Sequence, residues 1–159
     1  MTDVEPHDVP EGAIEALQHY FNTRHEFLSW LNVEVKVLEP GRAVMRIPYH
    51  EKLTNKPWDP DDEDGRAPVQ GGVASTLIDV AGGIALRPYL TDPLNDTLAT
   101  INLNVNYLRP AVGDLVAEAE VIRAGGTVGV ADVIVDSEVP GEGTKPVAVG
   151  QGAYRLFSR

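Results

Sequence analysis

The sequence predicts an α+β domain in which a curved antiparallel sheet wraps around one central helix, with a helical cap at the N-terminus. Three observations lead there. Long stretches from Thr100 onward alternate apolar and polar residues with the period of a strand. One apolar stretch, from Gly72 to about Leu86, has the length of a helix. It is also hydrophobic enough to cover the apolar face such a sheet presents.

The elements follow in order. Residues 1–10 have little to pack and read as a mobile N-terminus, with a single domain over 11–159. After Pro10, Ile14, Leu17, Tyr20 and Phe21 recur at helical spacing, and a second helical piece is expected over Arg24–Leu31. Val33, Val35 and Val37 then alternate with Glu34, Lys36 and Leu38. The turn residues Glu39-Pro40-Gly41-Arg42 follow, and Ala43, Met45 and Ile47 alternate in turn, which describes a hairpin. Residues 51–69, with prolines and the acidic run Asp59–Asp64, read as a loop. Trp58 and Leu53 stand there as possible pocket walls, with Ile84 and Leu86 on the helix. Downstream, Ile101, Leu103, Val105 and Tyr107 alternate with Asn102, Asn104 and Asn106. Strands over Leu115–Val121, Val128–Asp136 and Pro146–Phe157 follow, and a four-stranded meander is expected.

Composition excludes several classes of function. There is no cysteine, hence no disulfide, thiolate metal site or cysteine nucleophile. The net charge is −11, from 24 acidic and 13 basic residues, which disfavours nucleic acid and anionic membrane as partners. Such a surface suits either an ordinary acidic enzyme or one adapted to high salt. The acidic start, MTDVEPHDVPEG, has neither a basic region nor an apolar run, so the expected location is the cytoplasm. The histidines have no metal-ligand spacing, and neither a Gly-x-Ser-x-Gly elbow nor a phosphate-binding loop is present.

The central helix carries the chemistry. Val73, Leu77, Ile78, Ala81, Ile84 and Ala85 gather on one side, and Gly72, Ser75, Thr76, Asp79, Gly82, Gly83 and Leu86 on the other. That second side is small-residued and holds one charge, so something approaches it closely: a partner helix, a strand or a ligand. Asp79 is costly to bury unless it is paired or used. It is either satisfied by Ser75, Thr76 or a neighbouring strand, or employed in chemistry. At the helix start, Gly71 and Gly72 expose amides suited to an anion or a developing oxyanion, though a glycine pair is also an ordinary cap.

The stretch Asn55…Gln70-Gly71-Gly72-Val73-Ala74-Ser75-Thr76-Leu77-Ile78-Asp79 resembles the motif of hotdog-fold acyl-CoA thioesterases of the phenylacetate-degradation type. Thr100-Ile-Asn-Leu-Asn-Val-Asn-Tyr107-Leu-Arg109-Pro110 is similar to that family's third strand, and the likeness spans roughly residues 31–157. The resemblance implies that Asp79 is general base or nucleophile and that the Gly71 amide polarises the thioester carbonyl. It also implies supporting roles for Asn55, Gln70 and Thr100. Gln70 occupies the place of the family's histidine. An acyl-CoA substrate needs cations and amides for its phosphates, for which Arg109, Arg123 and the Gly125-Gly126-Thr127 turn, together with Gly72, are the candidates. No cofactor or metal is called for. Gly71 and Asp79 lie eight residues apart, about 12 Å along one helix. They reach one carbonyl only from different subunits, so a homodimer, or a homotetramer as a pair of dimers, is expected. Two other functions fit the fold: a hotdog dehydratase, which requires a site histidine, and a non-catalytic acyl-CoA or acyl-carrier binding protein.

Overall fold

The computed structural model describes residues 3–55 and 66–157; Trp58 and the acidic run 59–64 lie outside the described residues. Helix α1 (Ala13–Arg24) buries Ala13, Leu17 and Phe21, a stripe repeating every four residues, while Tyr20 faces outward instead of joining the core. Helix α2 (Glu26–Trp30) is one short turn that buries Leu28. His25 caps it, its Nδ1 accepting the Leu28 N–H at 3.3 Å. Ahead of α1, the Val4 N–H reaches the Ala124 carbonyl at 2.8 Å and the His7 N–H reaches Pro88 at 2.7 Å.

Strands β1 (Glu34–Glu39) and β2 (Arg42–Ile47) form the expected hairpin, turning at Gly41 with φ of 80°. A bulge at Lys36 moves the pairing from Val35↔Met45 to Val37↔Val44. The inward set is therefore Val35 and Leu38, and Val37 is left half-buried. On the outer face, Arg46 bonds Asp114 through Nη2 at 2.6 Å and Glu34 through Nη1 at 2.8 Å. The Tyr49 N–H, helped by Arg46, holds the Asp114 carboxyl below the usual range.

Helix α3 (Gly71–Ala85) is the expected central helix, and a 3-10 turn over Arg87–Tyr89 ends it at Pro88. Strands β3 (Thr97–Tyr107), β4 (Leu115–Ala124), β5 (Val128–Val139) and β6 (Gly143–Phe157) complete one antiparallel sheet. Its order is β1-β2-β4-β5-β6-β3. The meander is thus β4-β5-β6 alone, because β3 pairs with β6 at the far edge rather than with β4. The cause lies in residues 108–114, which contain Pro110 and Gly113 and make a crossover instead of a tight turn. The Leu108 N–H bonds Val147, the Val112 N–H bonds Glu138, and the Ala111 carbonyl accepts from Val69 just before α3.

Inside the curve, Leu77, Ile78, Ala81 and Ala85 of α3 meet Met45, Ala117, Ala119, Val133, Val135 and Ala148 of the sheet, all buried. Each large aliphatic side chain so buried contributes about 1.5–3 kcal/mol. Among the described residues no helix is long and apolar enough to cross a membrane.

Candidate active site

Asp79 lies midway along α3 and is partly exposed. Its Oδ1 accepts a 2.7 Å hydrogen bond from the Thr100 hydroxyl on β3. That contact depends on a bulge at Ile101, where pairing with β6 steps from Thr100↔Tyr154 to Asn102↔Ala153. The bulge reverses the strand's parity. Leu98 and Thr100 face the helix before it, and Leu103, Val105 and Tyr107 after it, while Ile101 stays 59% exposed.

Beneath Asp79, the buried Tyr154 of β6 donates to the Asp79 backbone carbonyl at 2.9 Å. Burial, and then the nearby Asp79 charge, push its phenol well above the usual range, so it stays a neutral donor. The ring fills the space left by Gly82 and Gly83: a Cβ on Gly82 would overlap the Tyr154 hydroxyl. The small-residue stretch at this end of α3 is therefore occupied by the chain's own strand. It does not call for a partner helix.

At the other end of α3, Gln70 is the N-cap, its Oε1 accepting the Gly72 N–H at 2.5 Å. Gln70 thus holds the helix start in shape and occupies the Gly72 amide. The first helical amide, that of Gly71, has no acceptor among the described residues. The Tyr107 ring packs on Gly71, its Cε1 3.0 Å from where a Cβ would stand. Thr54 and Val69 form an isolated bridge, the Asn55 N–H bonds Pro68 and the Gln70 N–H bonds Leu53. Asn55 is thereby brought to the foot of α3.

The proposed CoA-binding groups separate into two places. Arg109 follows β3 at the Gly71 end, bonding the Pro146 carbonyl at 2.8 Å with Glu142 3.9 Å away. Arg123 belongs to the opposite end, where its Nε meets Asp3 at 2.8 Å. The adjoining Gly125-Gly126-Thr127 turn directs the Gly125 N–H to Val128 and the Thr127 carbonyl to Leu156. Arg123 pairs across β5 with Ala153, seven residues along β6 from Pro146. The two arginines are therefore about 23 Å apart along the sheet and do not converge within one chain.

A polar crevice of about 610 Å³, lined by Tyr49, Arg66, Asp114, Asp136 and Glu138, lies away from Asp79. A hollow of about 300 Å³ adjoins the foot of α3, between Phe27 and Trp30 on one side and Gln70, Gly72 and Thr76 on the other. Tyr107, Tyr154, Phe27 and Trp30 escaped the sequence-based site prediction. The signal for Tyr154 was the Gly82-Gly83 pair, which requires a bulky neighbour.

A curved antiparallel sheet wrapped around one central helix is the hotdog fold of thioesterases. Residues 69–144 match the model of the thioesterase superfamily. A protein of Halobacterium salinarum, named as a proposed esterase, is 46% identical over 149 residues, covering 92% of this chain and 94% of its own. Another so named, from Saccharolobus solfataricus, is 33% identical over 77% of this chain and 80% of its own. The solved thioesterase HI1161 of Haemophilus influenzae superposes with a TM-score of 0.73 over 98% of this chain and 95% of that one; at 18% identity the likeness is one of fold. The chain belongs to the thioesterase superfamily, a family of hydrolases.

Proposed function

We propose that this protein hydrolyses acyl-CoA thioesters at a site shared between two subunits, with Asp79 of one chain acting toward a carbonyl held by the Gly71 amide of the other. One observation carries this reading. Asp79 touches Thr100 and Gly71 touches Tyr107, and both partners lie on the same edge strand, β3, whose outer side pairs with no strand among the described residues. An antiparallel pairing of β3 with a second β3, centred on Asn104 and with Ile101 as the extra, bulged residue, sets Thr100 opposite the partner's Tyr107. That pairing brings Asp79 beside the partner's Gly71, continues the sheet and covers the exposed Ile101 and Tyr107.

The thioester oxygen accepts from the Gly71 N–H at the positive end of α3. Asp79, aligned by Thr100, takes a proton from water. The water oxygen bonds the acyl carbon, the C–S bond breaks, and the proton passes to the leaving thiolate, giving acid and free CoA. Direct attack by the carboxylate gives an anhydride that water then opens, with the same overall balance.

Replacing Asp79 with Asn should lower thiol release by about 10²–10⁴-fold, while light scattering still shows the wild-type oligomer. Near-normal turnover by that variant would falsify the assignment. A CoA-binding titration beside the assay separates hydrolysis from the binding-protein alternative, which the replacement of the motif histidine by Gln70 favours.

A further inference from the structure

We infer that the hollow beside Phe27 and Trp30 receives the acyl group, and that the enzyme selects uncharged apolar acyl groups of medium-chain or aryl size over acetyl. This rests on the proposed hydrolytic role of Asp79 and Gly71 and names the substrate class of that site. The hollow shares its wall with the oxyanion end of α3: Gln70, Gly72, Val73 and Thr76 line it. An acyl chain leaving a carbonyl held at Gly71 therefore enters it directly. Its volume, about 300 Å³, falls at the lower end of small-molecule pockets.

The lining is apolar where it matters. Leu31 and Leu53 are buried beside it, and Phe27 and Trp30 are each 52% exposed, rings left half-bare in a chain that buries Leu28 between them. The Thr76 hydroxyl and the Lys52 ammonium, two of its polar groups, are already engaged. The Thr76 hydroxyl donates to the Gly72 carbonyl at 2.8 Å. Lys52 donates to the Trp30 carbonyl at 2.5 Å with its Nζ 4.6 Å from the indole centroid, which fixes the ring rather than offering a free cation. A second crevice, at the far end of α3, is a poorer acyl site because Arg87, Asn95 and Asp96 line it.

The experiment compares kcat/KM for acetyl-, succinyl-, octanoyl- and phenylacetyl-CoA in wild type, Phe27→Ala, Trp30→Ala and Trp30→Phe. Wild type should prefer octanoyl and phenylacetyl. Trp30→Ala and Phe27→Ala should each lower those two by about 10-fold, mainly through KM, and leave acetyl within about twofold; Trp30→Phe should recover most of the loss. The inference is overturned if wild type prefers acetyl or succinyl, if all substrates fall together, if none moves, or if either alanine variant alters the oligomer. Asp79→Asn, run alongside, keeps the two readings apart. A dead Asp79→Asn with unchanged selectivity in the ring variants removes only the acyl pocket, whereas an active one removes the hydrolytic site.

Discussion

A carboxylate does useful chemistry only when its lone pairs point where the reaction needs them, and in the proposed mechanism the Thr100 hydrogen bond sets that direction for Asp79. The bond joins a neutral hydroxyl to a charged acceptor near the surface, so its loss costs about 1.5 kcal/mol, the low end for such pairs. Thr100→Val, close in shape, should therefore cut kcat by roughly tenfold. KM and the melting temperature should stay near wild type, and Thr100→Ser should restore the rate. If Thr100→Val instead lowers stability with kcat unchanged, the hydroxyl supports the fold and not the carboxylate. Gln70 illustrates a second lesson at this scale. As an N-cap it occupies the Gly72 amide, which leaves the Gly71 amide as the one proposed to hold the substrate carbonyl.

At the scale of elements, α3 is held to the sheet by a tyrosine fitted into its glycines. In an exposed helix Gly→Ala stabilises by about 1 kcal/mol. Here a methyl on Gly82 would overlap the Tyr154 hydroxyl, so Gly82→Ala should destabilise by about 1–3 kcal/mol in urea unfolding. The sign decides the matter, and adding Tyr154→Phe should recover part of the loss. Sequence periodicity located α1, α2, the β1-β2 hairpin and α3 because each is specified by neighbours within a few residues. The pattern of the helix and its glycine start singled out Asp79 and Gly71, while Gln70 and Thr100 were candidates only through the family resemblance. Periodicity did not reveal the bulges at Lys36 and Ile101, since a bulge is a mismatch between two strands and neither strand alone records it. For the same reason the place of β3 beside β6 was hidden: strand order depends on where the 108–114 crossover travels. The separation of Arg109 from Arg123 then follows from strand order, not from sequence distance.

For the molecule as a whole, charge is the term that solvent conditions can change. Acidic residues outnumber basic ones by 24 to 13, and the sheet's outer face adds local repulsion: Glu120 sits directly opposite Asp132 in the β4-β5 ladder, with Ile134 and Glu118 as the next pair. Two effects compete as salt rises. Screening weakens surface ion pairs such as Arg42–Glu118 and Arg46–Asp114, each worth at most about 1 kcal/mol when this exposed. Screening also relieves the self-repulsion of a net charge of −11, which acts over the whole surface and drops out once the Debye length shrinks from about 10 Å at 0.1 M to about 3 Å at 1 M. The excess of like charges outweighs the few pairs, so the melting temperature should climb by several degrees, about 2–4 °C per kcal/mol, between 0.1 and 2 M KCl. Glu120→Gln should raise the low-salt melting point and flatten the climb, because it removes one member of the opposed pair. A melting temperature that stays level or falls with KCl, or a Glu120→Gln protein with the wild-type slope, would mean that packing of α3 against the sheet, and not surface charge, sets the response to salt.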